Sequence, residues 1–135
     1  MNRGKTASRV ALGLRWFAGL FYLSTALIAL THVTRMPEGS TPEAAAFFLA
    51  LHASGFMLPL LGFCFFAGGL LLLLDRTAPL GLILVAPPVV VIPLYNALLE
   101  RQPFTSGPFV LTIEIFLAWY YWARFKPLWS GAPSR

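Results

Sequence analysis

The chain has 135 residues, of which 58% are hydrophobic and only 11% are charged. Soluble domains average about 45–50% apolar and about 25% charged residues, so this composition excludes an ordinary soluble domain and predicts an integral membrane protein. The net charge is +5. Because the basic residues cluster at the two ends of the chain, beside apolar runs, the expected partner is a lipid bilayer and not a nucleic acid.

The cysteine content excludes one class of membrane enzyme. Cys64 is the only cysteine in the chain. It cannot form an internal disulfide, and there is no CxxC pair to act as a redox dithiol. Four-helix thiol oxidoreductases need paired cysteines, so the sequence argues against that class.

The first apolar run follows a basic segment. Residues 1–15 hold four basic residues and no acid, and the stretch 16–31 is apolar. Signal peptides show the same order, but here the apolar run extends back to Val10 and no small-x-small cleavage site follows it. The sequence therefore predicts an uncleaved first span over about residues 10–31.

A loop and a short helix come next. Proline and glycine predict a loop over 32–41, where Ser40 or Thr41 can cap the following helix. The alanine-rich segment 43–54 is too short to cross a hydrocarbon core of about 30 Å, so it is predicted to be an interfacial or re-entrant helix. The face expected to insert into the interface consists of Phe47, Phe48 and Leu51.

Three longer apolar runs complete the pattern. Residues 55–74 carry no charge and are followed at once by an acid and a base, which predicts a span over about 56–74. Further spans are predicted over about 79–99 and 108–125. The last of them ends in four aromatic residues at 119–122, next to basic residues, which is typical of a membrane–water interface.

The third predicted span contains three prolines, Pro87, Pro88 and Pro93. Each lacks an N–H and frees a carbonyl one turn earlier, so this helix is predicted to be bent or locally unwound between Leu84 and Leu94, with its open side against protein. The surface expected to receive it is the small-residue face of the second span, formed by Gly62, Gly68 and Gly69.

These elements predict one domain over residues 1–135. Its fold class is all-α integral membrane: a four-transmembrane-helix bundle with an extra interfacial helix between helices one and two. Eight of the ten basic residues lie in the amino-terminal segment, the 75–78 turn and the carboxy-terminal tail. This distribution predicts that both termini are cytoplasmic.

Glu114 is the main candidate for chemistry, because it lies inside the fourth predicted span. A carboxylate in a membrane helix is costly unless it is paired or wet, so such a residue is a functional candidate by default. It can serve as a proton-transfer residue, or it can be a structural acid that ties its helix to the bundle, which is the favoured interpretation. The expected partners are Arg101, His52 and His32.

The two histidines, His32 and His52, are weaker candidates. Histidines on separate helices can hold a haem or a chlorophyll-type pigment. Both lie near the predicted outer boundary, where interfacial packing is the favoured role. No spacing in the chain indicates a metal site, and no cofactor is indicated with certainty; quinone and lipid are the ligands that an apolar membrane bundle allows.

The order of these features resembles a known family. A basic start precedes GLFYL, then MPEGSTPEAAAFFLALHASGFMLPLLG, GGLLLL before DRTAPLGL, LVAPPVVV, and finally LTIEIFLAWYYWARFKPLW. The set, over about residues 10–129, resembles the DoxX-like family of small four-helix bacterial membrane proteins. The resemblance implies a bacterial cytoplasmic (inner) membrane location, and an association with membrane oxidoreductase complexes and thiosulfate:quinone oxidation.

The chain also departs from that family. The resemblance implies a lysine late in helix one, an acid early in helix two, and an asparagine and a histidine in helix three. The corresponding residues here are Ala29, Phe65, Val91 and Asn96, while the helix-four acid, Glu114, is kept. Losing a lysine and an acid together is self-consistent, since a lone buried charge is costly.

Three functional interpretations follow. The leading one is a non-catalytic subunit that scaffolds or stabilises a larger membrane bioenergetic or oxidoreductase complex, with other membrane protein subunits as partners. The alternative is a quinone-linked oxidoreductase component in which Glu114 transfers protons. A small-molecule transporter is a third interpretation, although neither internal repeats nor polar midplane residues support it.

The charge distribution gives a direct test of topology. Cysteines introduced as Ser8→Cys and Ser134→Cys should react with a membrane-impermeant reagent only from the cytoplasmic side. Labelling of either position from the outside would contradict the predicted orientation.

Overall fold

The computed structural model describes residues 3–31 and 39–128, and all regular structure in these ranges is helical, which confirms the all-α class. The elements are α1 (Arg3–Thr31), α2 (Pro42–Ala53), α3 (Met57–Leu73), α4 (Ala78–Leu98), α5 (Ser106–Tyr120) and α6 (Trp122–Phe125), which continues into one 3₁₀ turn, Lys126–Leu128.

Two of these helices, α1 and α4, are long and apolar enough to cross a bilayer. The pair α2 and α3 passes the same test together, as one broken unit. Helix α5 is apolar, but its 15 residues extend only about 22 Å, less than a hydrocarbon core of roughly 30 Å. The described part of the chain therefore has two candidate spans, or three, and four spans are not confirmed.

The ends of the chain differ from the predicted boundaries. Helix α1 begins at Arg3 instead of near residue 10, because lysine, arginine and alanine favour helix as well as apolar residues do. The predicted helix over 108–125 is divided: α5 stops at Tyr120, and Tyr121 adopts a turn conformation before α6.

Helix α2 begins where the sequence predicts. Thr41 is the N-cap and its hydroxyl accepts a hydrogen bond from the amide of Ala44 over 3.2 Å. Pro42 occupies the first turn, where a missing N–H has no cost, and Glu43 lies at the positive end of the helix dipole.

A sharp bend separates α2 from α3. The two helix axes differ by 87°, so a single straight helix over 43–74 is excluded and the prediction of a separate short helix is confirmed. Gly55 lies in the bend with φ +74°. This left-handed conformation strains residues that carry a Cβ, which explains a glycine at this position.

Helices α1 and α3 form the most extensive contact in the bundle. Gly19 lies against Gly69, while Ala29 and Leu30 lie against Gly62, so the two helices run antiparallel. A Cβ built on Gly69 would lie 2.9 Å from the carbonyl oxygen of Gly19. The glycines thus let the two backbones approach closely.

Helix α4 packs on α3 and α5 packs on α4. Gly81 of α4 approaches the backbone of Gly68, where a Cβ would lie 2.8 Å from the carbonyl oxygen. The small-residue face of α3 is therefore shared: Gly68 faces α4, whereas Gly62 and Gly69 face α1. The expectation that all three glycines receive the proline-bearing helix is wrong.

The three prolines lie inside α4 without interrupting it. The helix is continuous from Ala78 to Leu98. Of the two predicted alternatives, local unwinding is therefore excluded, and a bend between Leu84 and Leu94 stays a prediction. Pro88 is buried, Pro87 is exposed, and the backbone of Pro93 lies against Gly107 of α5. Only part of the proline-bearing surface therefore contacts the rest of the chain.

The close approach of α1 and α3 can be tested by substitution. Gly69→Ala should lower the free energy of unfolding by about 1–3 kcal/mol, because the added methyl group overpacks a rigid backbone contact. The control is Gly13→Ala, since a Cβ there meets nothing within 4 Å; it should be neutral or stabilising by up to about 1 kcal/mol. Thermal unfolding in detergent measures both, and equal effects would contradict the packing described here.

Candidate functional site: polar clusters in the bundle

One carboxylate joins three parts of the chain at one end of the bundle. Asp75 lies in the turn between α3 and α4, and its Oδ1 accepts hydrogen bonds from Arg15 Nη1 over 2.8 Å and from the Tyr121 hydroxyl over 2.7 Å. Its Oδ2 accepts from Arg124 Nη2 over 2.7 Å. We call Arg15, Asp75, Tyr121 and Arg124 the Asp75 cluster. It connects α1, the α3–α4 turn and the end of α5.

Arg15 is the buried member of the Asp75 cluster. Its side chain is 6% exposed, whereas that of Asp75 is 55% exposed. Nη1 of Arg15 also donates to the Tyr121 hydroxyl over 3.3 Å, and Nε has no hydrogen-bond partner. A buried guanidinium needs a counter-charge, and Asp75 supplies it.

The surroundings of Asp75 favour its ionised form. The hydrogen bond from the Tyr121 hydroxyl and the one from Arg124 lower the pKa of the Asp75 carboxyl below its usual value of 3.8. The same contact raises the pKa of the Arg124 guanidinium above its usual value. Arg124 also lies over the ring of Tyr121, 5.0 Å from its centroid, which adds a cation–π contact.

Glu114 lies in the interior, on α5, and is hydrogen-bonded to α1. The hydroxyl of Tyr22 donates to its Oε2 over 3.2 Å, and both residues are buried. Oε1 has no hydrogen-bond partner. Arg101 and His52, two of the predicted partners, are exposed instead, and that pairing is wrong; His32 lies outside the described residues.

An aromatic contact supports the Tyr22–Glu114 pair. The ring of Phe65, on α3, stacks on Tyr22 with centroids 5.7 Å apart and an interplanar angle of 19°. Position 65 is where the family resemblance implies an acid. In this chain position 65 is a buried phenylalanine, and its ring packs on Tyr22, whose hydroxyl donates to Glu114.

A second carboxylate connects elements at the opposite end of the bundle. Glu100 follows α4 and accepts hydrogen bonds from the backbone amide of Ser40 over 3.1 Å, from the Ser40 hydroxyl, and from the Tyr95 hydroxyl over 2.5 Å. The Ser40 and Tyr95 hydrogen bonds lower the pKa of the Glu100 carboxyl. We call Ser40, Tyr95 and Glu100 the Glu100 cluster.

Helix α2 is fixed to the same end of α4. The hydroxyl of Thr41 donates to the carbonyl of Leu99 over 2.6 Å. The rings of Phe47 and Phe48 lie 5.5 and 5.2 Å from Tyr95. These two phenylalanines were expected to insert into the membrane interface, and the structure turns them toward α4 instead. The exposed large apolar side chain of α2 is Leu49.

The histidines do not form a metal site in the described part of the chain. His52 is exposed in the last turn of α2, and within residues 3–31 and 39–128 no three His, Cys, Asp or Glu side chains lie close enough to hold a metal ion. His32 lies outside these ranges, so a His32–His52 ligand pair stays a prediction.

Sequence reasoning missed the Asp75 cluster. Arg15 was counted with the basic amino-terminal segment, and Asp75 with a surface turn. One signal was available: Arg15 lies inside the predicted first span, about two helical turns before Tyr22 and on the same helix face. An arginine that deep in an apolar run predicts an acidic partner elsewhere in the chain.

Comparison with protein-family models, with curated proteins and with solved structures found no match for this chain.

The buried guanidinium makes Asp75 a strong determinant of stability. Asp75→Ala should lower the free energy of unfolding by about 3 kcal/mol, because it leaves Arg15 buried without a counter-charge. Adding Arg15→Met should restore much of the loss, since an apolar side chain then fills the site. Arg124→Gln is the matched control and should cost at most about 1 kcal/mol, as its ion pair is half exposed. Thermal unfolding in detergent distinguishes these outcomes.

The lowered pKa of Asp75 also predicts acid sensitivity. A carboxyl whose pKa is lower in the folded state stabilises the fold above its ordinary value of 3.8, and the contribution is lost as the pH falls through the lowered pKa. Stability should therefore decline below about pH 4, and Asp75→Asn should flatten that decline. Glu43→Gln removes an exposed acid outside the Asp75 cluster and is the control; it should flatten the decline much less than Asp75→Asn does. A wild-type acid limb in Asp75→Asn would refute the assignment.

Proposed function

We propose that this chain is a DoxX-like integral protein of the bacterial cytoplasmic membrane that acts as a non-catalytic subunit, stabilising a larger membrane oxidoreductase complex. One observation carries the proposal. The buried charged side chains, Arg15 and Glu114, are each bonded to another helix or turn of the same chain, while large apolar side chains cover the outside of the bundle.

The exposed surface is apolar along the length of the bundle. The large apolar residues of α1, α3, α4 and α5 that are more than half exposed are Leu20, Leu27, Leu60, Phe63, Leu80, Leu94, Leu98, Phe109, Ile115 and Trp119. Soluble proteins rarely expose apolar patches of this extent, which favours contact with lipid tails or with other membrane subunits. Apart from Glu114, the acidic and basic residues of the described chain lie near the two ends of the bundle, as expected if its middle lies in hydrocarbon.

The proposed arrangement has four membrane-crossing helices, α1, α3, α4 and α5, with both termini in the cytoplasm. The Asp75 cluster supports it, because it brings Arg15 of α1, the α3–α4 turn and Arg124 to one end of the bundle. The 87° bend before α3 supports an α2 that lies along the opposite membrane surface when α3 crosses the bilayer.

A second candidate is a quinone-linked oxidoreductase component. It is favoured by Oε1 of Glu114, a buried carboxyl oxygen without a hydrogen-bond partner. A carboxyl group with one oxygen not hydrogen-bonded can exchange a proton with a bound quinone, whereas a purely structural acid does not require such an unbonded carboxyl oxygen.

Co-purification tests the leading proposal. The full chain, extracted from its native membrane in mild detergent, should migrate with other membrane subunits, and mass spectrometry should identify redox proteins among them. Recovery of the chain alone, with quinone bound, would favour the second candidate.

Substitution of Glu114 separates the two candidates further. In the packing-subunit proposal, Glu114→Gln should leave electron transfer in the parent complex within about twofold of wild type, because glutamine still accepts a hydrogen bond from Tyr22. A tenfold or greater loss of turnover with normal assembly would support proton transfer instead. Glu43→Gln controls for loss of an acid outside the bundle.

A further inference from the structure

The two ends of the bundle differ strongly in charge. At the end that holds the Asp75 cluster, the residues whose side chains the structure describes include one acid, Asp75, and six basic residues: Lys5, Arg9, Arg15, Arg76, Arg124 and Lys126. At the opposite end, the described residues include one basic residue, Arg101, and two acids, Glu43 and Glu100. The excess positive charge of the described chain is therefore concentrated at one end.

Helix α1 extends past the α3–α4 turn at this basic end. Ala11 is still buried in the core, and we call residues 3–10 the α1 projection. Gly19 packs against Leu73, the last residue of α3, so Arg15, one turn earlier, is level with the α3–α4 turn. The preceding residues 3–14 continue as helix for about 18 Å. Lys5 and Arg9 lie on one face of this projection, since they are four residues apart.

The projection and the turn present cations that are not neutralised inside the chain. Lys5, Arg9 and Arg76 are exposed, and they make no ion pair or hydrogen bond with the described residues. The one nearby acid, Asp75, is already bonded to Arg15 and Arg124. Among the described residues, an incoming anion therefore meets exposed cations and no carboxylate that is free of a basic partner.

Aromatic side chains lie beside these charges. Trp16 and Trp122 are 47% and 52% exposed; Trp16 follows Arg15 directly, and Trp122 lies two residues before Arg124. Indole rings with one wet and one apolar side are typical of the headgroup level of a bilayer. An anionic phospholipid suits both the basic and the aromatic residues, because its phosphate headgroup can contact the cations while its acyl chains lie along the apolar helices.

We infer that the basic end of the bundle binds anionic phospholipid, with lipid headgroups attracted to Arg76 in the turn and to Lys5 and Arg9 of the α1 projection. This inference rests on the proposed membrane location, and it adds a lipid selectivity that the location alone does not require. Each basic residue near a membrane surface contributes about 1 kcal/mol of attraction to anionic lipid, or roughly fivefold in affinity.

A lipid titration tests the inference. The full-length protein, delipidated in detergent, is titrated with phosphatidylglycerol or with phosphatidylcholine while thermal unfolding is followed by tryptophan fluorescence. Phosphatidylglycerol should raise the melting temperature at lower concentration than phosphatidylcholine does. The triple variant Lys5→Gln, Arg9→Gln, Arg76→Gln should need roughly a hundredfold more phosphatidylglycerol. Arg101→Gln, an exposed basic residue at the other end, should behave like wild type.

Three outcomes would overturn the inference: equal responses to the two lipids, a triple variant that responds like wild type, or equal stabilisation by inorganic phosphate, which would indicate a general anion effect. Reconstitution separates this failure from that of the proposed function. Incorporation into phosphatidylcholine vesicles without a preference for phosphatidylglycerol refutes the lipid site alone. Failure to incorporate into vesicles of either lipid refutes the membrane location and the lipid site together.

Discussion

The burial of one guanidinium constrains the whole bundle. Arg15 lies within an apolar helix, where an unpaired charge would cost several kcal/mol, and its counter-ion, Asp75, comes from a turn 60 residues later. The contact sets the position of α1 along α3, because only one alignment brings the arginine level with the turn. Tyr121 and Arg124 bond to the same carboxylate, so the end of α5 is fixed by the same interaction.

Three acids among the described residues each connect different elements of the bundle. Asp75 joins elements at one end, Glu100 joins them at the other, and Glu114 connects α5 to α1 between the ends. Each accepts a hydrogen bond from a tyrosine hydroxyl, which is a donor that carries no charge and packs well among apolar side chains. Polar groups used in this way specify how helices align, and such alignment is what a packing subunit needs.

The sequence was sufficient for the local features of the fold and insufficient for the contacts between distant residues. The helices follow from apolar length and from breakers, and the start of α2 follows from Thr41 and Pro42, because these signals act within one turn. The Arg15–Asp75 and Tyr22–Glu114 contacts join residues that are 60 and 92 positions apart in the chain, so they depend on how the helices align in three dimensions. Hydropathy does not encode that alignment. The same limit explains why Phe47 and Phe48 were assigned to lipid: their contact, Tyr95, becomes visible only once α2 folds back on α4.

The unequal lengths of the helices have a consequence for the surrounding lipid. Helix α1 has 29 residues and α4 has 21, whereas α3 has 17 and α5 has 15. An annulus of lipid around such a bundle would have no single hydrophobic thickness: acyl chains beside the short helices would have to compress, while those beside α1 would not. Mismatch of this kind costs a fraction of a kcal/mol per Å and favours thin bilayers or neighbouring proteins that cover the short helices. Because α3 packs between α1 and α4, and α5 packs between α4 and α1, the short helices alternate with the long ones, and association would relieve the most deformation at two separate places, beside α3 and beside α5.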